Sequence, residues 1–382
     1  MLRLLCLPLV YPFVSSLLFE MHIAFRTDAS LQIGTGHIMR CLTLADAMRK
    51  HGAHCSFISR EHKGNMIDWV SQRDHSALRL PLESDRNAAN ATPEHASWLG
   101  TNWATDAQQT QQLLEGKTID WLVVDHYGLD YRWELALRPY CKRLMVIDDL
   151  ADRPHHCDLL LDQNLGRNAV DYCGLLEPQT QTLIGPTYAL LRPEFSQLRA
   201  YSLARRAQPQ LQRILVFMGG VDKDNATGQV LTALQNTQLP RDMHITVVMG
   251  RHAPWMQQVQ SQAAQIPVPT QVLVGVNNMS QLMADSDFAI GAAGSTSWER
   301  CCLGLPTALM VLAPNQQAGA EALFKSGAAI VLENPQQLQG LFSERELAKL
   351  LLQLRQMSDA AALLSSGNGV MYAAETIKAM NV

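Results

Sequence analysis

The chain has 382 residues, enough for two domains, and its 47% hydrophobic and 17% charged content is ordinary for a soluble globular protein. A net charge of −4 argues against a general nucleic-acid binder, while leaving room for a local basic site that holds phosphate. Eight cysteines occur with no Cys-x-x-Cys pair, mostly inside apolar segments, which predicts reduced core thiols and a cytoplasmic protein.

Residues 1–20 resemble a short signal h-region but lack a small-residue cleavage site. Met21 follows them directly, so this stretch is expected to be an upstream extension from a mis-chosen start, with a membrane anchor as the minor reading. No other apolar run is long enough to span a bilayer. The run 22–25 reads as a strand and 41–48 as a helix, with Gly34-Thr35-Gly36-His37 in the turn between them. Backbone N–H groups at such a turn are unpaired, and the helix dipole favours anions there. The plainer reading is a tight turn that only needs glycine, with His37 an ordinary polar residue of the first helical turn. A dinucleotide fingerprint fails because Met39 stands where the third glycine would be, and no Gly-Lys-Ser/Thr follows to make a P-loop.

Strands are expected at 55–59, 76–80, 119–125, 144–149 and 159–164, with helices at 66–72 and 103–114 and a polar loop over 83–105. Such alternation predicts a parallel sheet whose ligand lies beyond the carboxyl ends of the strands. Asp28, Asp125-His126-Tyr127, Asp148-Asp149 and Asp162-Gln163-Asn164 would then converge on one crevice. The proline- and arginine-rich segment 186–210 reads as a linker with a short helix at 194–204. A second alternating set follows, with strands at 213–218, 244–249, 271–274, 288–290, 308–312 and 329–332, and helices at 225–234, 345–357 and 370–380. The chain therefore reads as an α/β protein of two doubly wound Rossmann-like domains facing a cleft, over 21–185 and 211–382.

Two further strand–glycine–helix turns lie in the second half. Gly219-Gly220 precedes Asp222-Lys223-Asp224-Asn225 and could hold a diphosphate. The plainer account is a helix cap by Asp224 or Asn225, and the Asp-x-Asp spacing lacks the partner carboxylates a hard cation needs. Gly294-Ser295-Thr296-Ser297-Trp298-Glu299 offers small residues for close approach, hydroxyl donors for phosphate and a glutamate for a ribose diol. Thr296 to Glu299 also fits a capping box, which would use the same groups locally.

These motifs, with Asp28-Ala29-Ser30, Ile33-Gly34-Thr35-Gly36-His37-Ile38-Met39-Arg40-Cys41, Asp125-His126-Tyr127-Gly128-Leu129-Asp130, Ile147-Asp148-Asp149, Asp162-Gln163-Asn164, Tyr188-Ala189-Leu190-Leu191-Arg192-Pro193-Glu194-Phe195 and Gly294-Ser295-Thr296-Ser297-Trp298-Glu299-Arg300-Cys301, resemble the UDP-sugar hydrolases of the pseudaminic acid pathway. The resemblance runs over nearly all of the chain from Met21. One departure is Ala313-Pro314-Asn315-Gln316, where the family pattern has a glutamate before Asn-Gln. The resemblance implies a glycosyltransferase-B architecture, UDP held by the C-terminal domain and water in place of an acceptor. It implies hydrolysis of UDP-2,4-diacetamido-2,4,6-trideoxy-β-L-altropyranose with inversion, as part of bacterial surface-glycan or flagellin modification. His37 matches the family's catalytic base. Asp28 is expected to orient it and Tyr127 to touch the sugar or the water. Gly34, Gly36, Asn164, Gly219, Gly220, Asn278, Met279, Gly294, Ser295, Thr296, Glu299, Asn315 and Gln316 make up the expected substrate-binding set. No metal or cofactor is expected, helix N-termini supplying the charge stabilisation. The partners expected are a UDP-sugar and water, without nucleic acid, membrane or a second subunit. Three rivals compete: an acceptor-dependent transferase of the same architecture, a hydrolase of a differently linked sugar, and a non-catalytic nucleotide-sugar sensor.

Overall fold

The structure is a computed structural model and describes residues 21–83 and 92–381. The expected extension 1–20 and the centre of the expected loop 83–105 lie outside the described residues. In the first half, β1 (His22–Thr27), α1 (Gly36–Lys50), β2 (His54–Arg60), α2 (Ile67–Gln72) and β3 (Ser76–Leu80) follow one another. Then come α3 (Trp103–Leu114), β4 (Trp121–Asp125), α4 (Tyr131–Leu137), β5 (Arg143–Ile147), β6 (Leu159–Asp162) and β7 (Gln181–Ile184). These strands form a seven-stranded sheet in the order β3-β2-β1-β4-β5-β6-β7, paired in parallel throughout. The apolar runs of β4 and β6 are buried along their whole length, as a sheet covered on both faces requires.

Helix α5 (Pro193–Arg206) leads into the second half, with proline at its first position, where a missing N–H costs nothing. The second half contains β8 (Arg213–Phe217), α6 (Ala226–Gln235), β9 (His244–Met249), α7 (Met256–Ala263), β10 (Thr270–Val274) and α8 (Met279–Asp285). It continues with β11 (Phe288–Ala292), α9 (Thr296–Cys302), β12 (Thr307–Met310), α10 (Gln317–Lys325), β13 (Ala329–Leu332), α11 (Gln337–Leu341), α12 (Glu344–Leu364) and α13 (Gly369–Ala379). Its six-stranded sheet runs β10-β9-β8-β11-β12-β13, again parallel.

In both sheets the strand order reverses beside the first strand, between β1 and β4 and between β8 and β11. The crevice for a ligand opens at such a reversal, beyond the carboxyl ends of the strands. Three differences from the sequence reading matter. Strand β7 and helix α4 were not expected, being only four and seven residues long. The segment expected to be mostly linker is a 14-residue helix. The last helix does not pack with the second sheet: Val370, Ala373, Ala374 and Ile377 of α13 are buried in the first core, with Ile38, Leu42 and Ala45 of α1.

Candidate active site

The cleft encloses about 720 Å³, part of it open to solvent, and both domains line it. The first domain contributes Ile33, Gly36, His37, Arg40, Tyr127, Asp149, Gln163 and Asn164. The second contributes residues around β11–α9, among them Gly294, Ser295 and Trp298, with Asn315 and Gln316 beyond β12.

His37 is the second residue of α1 and reaches the end of β4. Its Nδ1 lies 2.6 Å from Asp125 Oδ1. Arg40, one helical turn further on, donates through Nε to Asp125 Oδ2 and through Nη2 to Asp125 Oδ1, each at 2.6 Å. Its Nη1 donates to Asp149 Oδ2 at 2.6 Å, and the Tyr127 hydroxyl donates to the same oxygen at 2.7 Å. Burial works against a charge on Asp125, but the Arg40 guanidinium, with His37, outweighs it and holds the carboxyl well below the usual carboxylate range. An ionised Asp125 can only accept, so the short contact requires a proton on His37 Nδ1. The lone pair is then on Nε2, which makes no hydrogen bond to the described residues. Burial pushes the Tyr127 phenol well up, and the Asp149 charge adds to it, so Tyr127 is a hydrogen-bond donor and not a base.

Asp28 does not orient His37, contrary to the sequence expectation; Asp125 does. Asp28 is fully occupied elsewhere, with Arg26, the Arg60 backbone N–H and Ser59 as partners and His126 Nε2 3.3 Å away. Burial opposes its ionisation and Arg26 overrides that, keeping its pKa well below the usual range. The signal for Asp125 was present in the sequence as the last residue of a buried strand, and the spacing 37–40 places Arg40 on the face of His37. Trp98 gave no such signal. It sits in a short turn of helix, stacks on Tyr127 at 5.7 Å and presents an edge to His37 at 6.5 Å between ring centres. Gly128 allows this, because a Cβ there would lie 2.9 Å from the His95 carbonyl oxygen.

Of the expected substrate-binding set, the cleft brings together Gly36, Asn164, Gly294, Ser295, Asn315 and Gln316. Asn164 donates to the Asp149 carbonyl, and Gln316 Oε1 accepts from the Leu312 N–H at 2.9 Å. Gly34 stays outside the lining and closes the Ser30–Gly34 bridge at φ +83°. Asn278 and Met279 start α8, with Met279 buried, and also lie outside the lining. Gly219 and Gly220 follow β8 outside the lining, with Gly220 against Thr35 and Gly250. The helix start after them is closed by its own side chains: Asp222 accepts from the Ala226 and Thr227 N–H groups and Asn225 from Gly228. The first turn of this helix is therefore no anion site, since its donors are taken and a carboxylate stands in front of them, and the Asn225 cap of the plainer reading is present. The same bonds give Asp222 a capping role.

The opposite holds at α9. The capping box expected of Thr296 to Glu299 is not formed, and Ser295 makes no side-chain cap. Thr296 lies outside the lining, 3.3 Å from Arg300 Nη1. Glu299, also outside, faces Arg192 at 3.9 Å; burial pushes its carboxyl up to about 7 against the pull of Arg192 and Arg300. Helix α1 likewise starts at Thr35 without a side-chain cap. Two uncapped helix starts thus meet across the cleft: a Cβ on Gly36 would lie 3.4 Å from Ser295 Oγ.

Two parallel Rossmann-like sheets facing a cleft between uncapped helix starts define a protein of the glycosyltransferase-B fold, and residues 213–378 match the glycosyltransferase family 28 C-terminal domain. The crystal structure of MurG from Acinetobacter baumannii superposes with a TM-score of 0.66, covering 94% of this chain and all of that one at 17% identity. The chain is 28% identical over 309 residues to the UDP-2,4-diacetamido-2,4,6-trideoxy-β-L-altropyranose hydrolase of Campylobacter jejuni, covering 80% of this chain and 97% of that protein. It is 24% identical to MJ1062 of Methanocaldococcus jannaschii, an uncharacterized protein of which it spans about half, 55% of the length. The chain is therefore similar to a nucleotide-sugar hydrolase over most of its length.

Proposed function

We propose that this protein is a metal-independent, inverting hydrolase that releases UDP from UDP-2,4-diacetamido-2,4,6-trideoxy-β-L-altropyranose, as a cytoplasmic monomer in pseudaminic acid synthesis. The observation that carries the reading is His37: its Nδ1 is held by an ionised Asp125 and its Nε2 is free beside the cleft. Water attacks the anomeric carbon from the face opposite UDP, and its proton passes to His37 Nε2. The bond from that carbon to the diphosphate oxygen breaks, and UDP leaves with the electron pair. A single displacement inverts the anomeric centre. The N–H groups at the start of α1, with Ser295 at the start of α9, stabilise the charge gathering on the diphosphate. The seven described cysteines are free thiols, in keeping with a reducing compartment.

A glycosyltransferase reading is supported by the fold and by the family 28 domain. One experiment separates the two. Purified protein is incubated with the UDP-sugar, with and without EDTA, while UDP release and the anomeric proton are followed by NMR. The hydrolase reading expects EDTA-insensitive release and an inverted first-formed anomer. Release that requires an added acceptor overturns it in favour of transfer, and loss with EDTA overturns metal independence.

A further inference from the structure

A buried carboxylate next to an imidazole draws it towards the imidazolium, the form that cannot accept a proton. Asp125 is such a group, fully buried and 2.6 Å from His37 Nδ1. Left to itself it would orient the base and disable it together. Arg40 changes that balance. Its guanidinium engages both Asp125 oxygens in a bidentate pair and takes up the charge that would otherwise act on the ring. Its Nη2 also lies 3.3 Å from His37 Nδ1. Both atoms carry protons there, so a second proton on the ring would place two cations against each other.

We infer that Arg40 is a positioning residue that keeps His37 a neutral base, by neutralising Asp125 without displacing it from Nδ1. This rests on reading His37 as the proton acceptor. The surroundings agree. The groups facing His37 are Arg40 on its own helix, Asp125 at the end of β4, Tyr127 in the next turn, and Trp98 with His95 stacked behind it. Asp149 acts through Arg40 and Tyr127. Across the cleft stand Ser295, Asn315 and Gln316, none of which titrates. Arg40 is the only arginine or lysine among the described residues that line the cleft.

The test is the pH profile of kcat/KM in Arg40→Met and Arg40→Lys. Removing the cation leaves Asp125 free to hold His37 protonated. The acid limb of Arg40→Met is therefore expected to move up by about one to three pH units. Its rate at pH 7 falls at least about tenfold and recovers above pH 9, while UDP affinity at pH 9 is kept. Arg40→Lys retains the charge and shows a smaller shift. A uniform loss at all pH values, or an acid limb unmoved in both variants, overturns the inference. A second readout needs neither substitution nor turnover. The ¹⁵N shifts of the His37 ring in the native protein at pH 8 are expected to show a neutral ring with its proton on Nδ1, and the Nε2-protonated tautomer would overturn the inference. If native protein releases no UDP while the ring has the expected form, the hydrolase reading fails and the role of Arg40 in setting the ring stands.

Discussion

Two imidazoles reach strand-end carboxylates within a few residues of each other, and only one of them faces the cleft. His37 meets Asp125 and lines the cavity; His126 approaches Asp28 and is buried. Their substitutions are expected to separate chemistry from folding. His37→Asn should lower kcat by about 10²- to 10⁴-fold, the usual range for losing a general base, and leave UDP affinity within a few-fold by calorimetry. Near-normal turnover would remove His37 from the mechanism. Asp125→Asn should also cost kcat, because the amide no longer fixes the tautomer. Asp28→Asn should act on stability, because it breaks a buried pair with Arg26. A loss of about 3–5 kcal/mol is expected in denaturant melts, with kcat of the folded fraction kept. The His-Asp convergence was legible as polar residues ending apolar strands. Which aspartate served which histidine was not, because that depends on the strand order β2-β1-β4, which sets Asp28 and Asp125 side by side.

At the scale of elements, the ends of β5 and β6 bring Asp148, Asp149 and Asp162 together. The Tyr172 hydroxyl lies within hydrogen-bond distance of both Asp148 and Asp162, at 3.0 and 2.9 Å. Burial, then the charge of Asp149, pushes the Asp162 carboxyl up to about 7. Unfolded, an aspartate titrates near about 3.9. Between these values the folded state keeps a proton that the unfolded chain releases, so stability falls as pH rises from about 4 to about 7. Asp162→Asn should flatten that fall, read as Tm at pH 5 against pH 8; an unchanged slope would remove Asp162 as its source. Helix α13 makes the second case. A Cβ on Gly369 would run into the backbone of Tyr188 and Ala189. Gly369→Ala is expected to cost about 1–3 kcal/mol in denaturant melts, although this helix contributes no residue to the cleft lining. The apolar face of α13 was visible as a helix in the sequence. Its partner was not, since periodicity says that a face is buried and not against what.

For the whole molecule, the places where the two domains approach include Gly36 against Ser295, Gly166 against Ala322, Gly220 against Thr35, and Arg251 over the Trp69 ring at 5.9 Å. The glycines set how near the domains come. A Cβ on Gly220 would lie 2.9 Å from Thr35 Oγ1. Gly220→Val should therefore hold the cleft open, raising KM for the UDP-sugar about tenfold or more with little change in Tm, since the strain is relieved by domain separation. An unchanged KM would place Gly220 outside the closing contact.

The sequence by itself determined the alternation of strands and helices, the parallel sheets and the positions of the glycine turns, because these follow from local periodicity and from glycine's freedom at positive φ. It also singled out His37, which lies at the start of a helix that follows a buried strand. Only the tertiary structure decided the rest. Asp125 and not Asp28 holds His37, Arg40 clamps Asp125, and the helix start after Gly220 closes on its own Asp222 and Asn225 while those of α1 and α9 carry no side-chain cap. The first two are contacts between residues 88 and 85 positions apart, and the cap is a choice among acceptors equally near in sequence. Local patterns carry no term for either, and packing two sheets against one cleft supplies it.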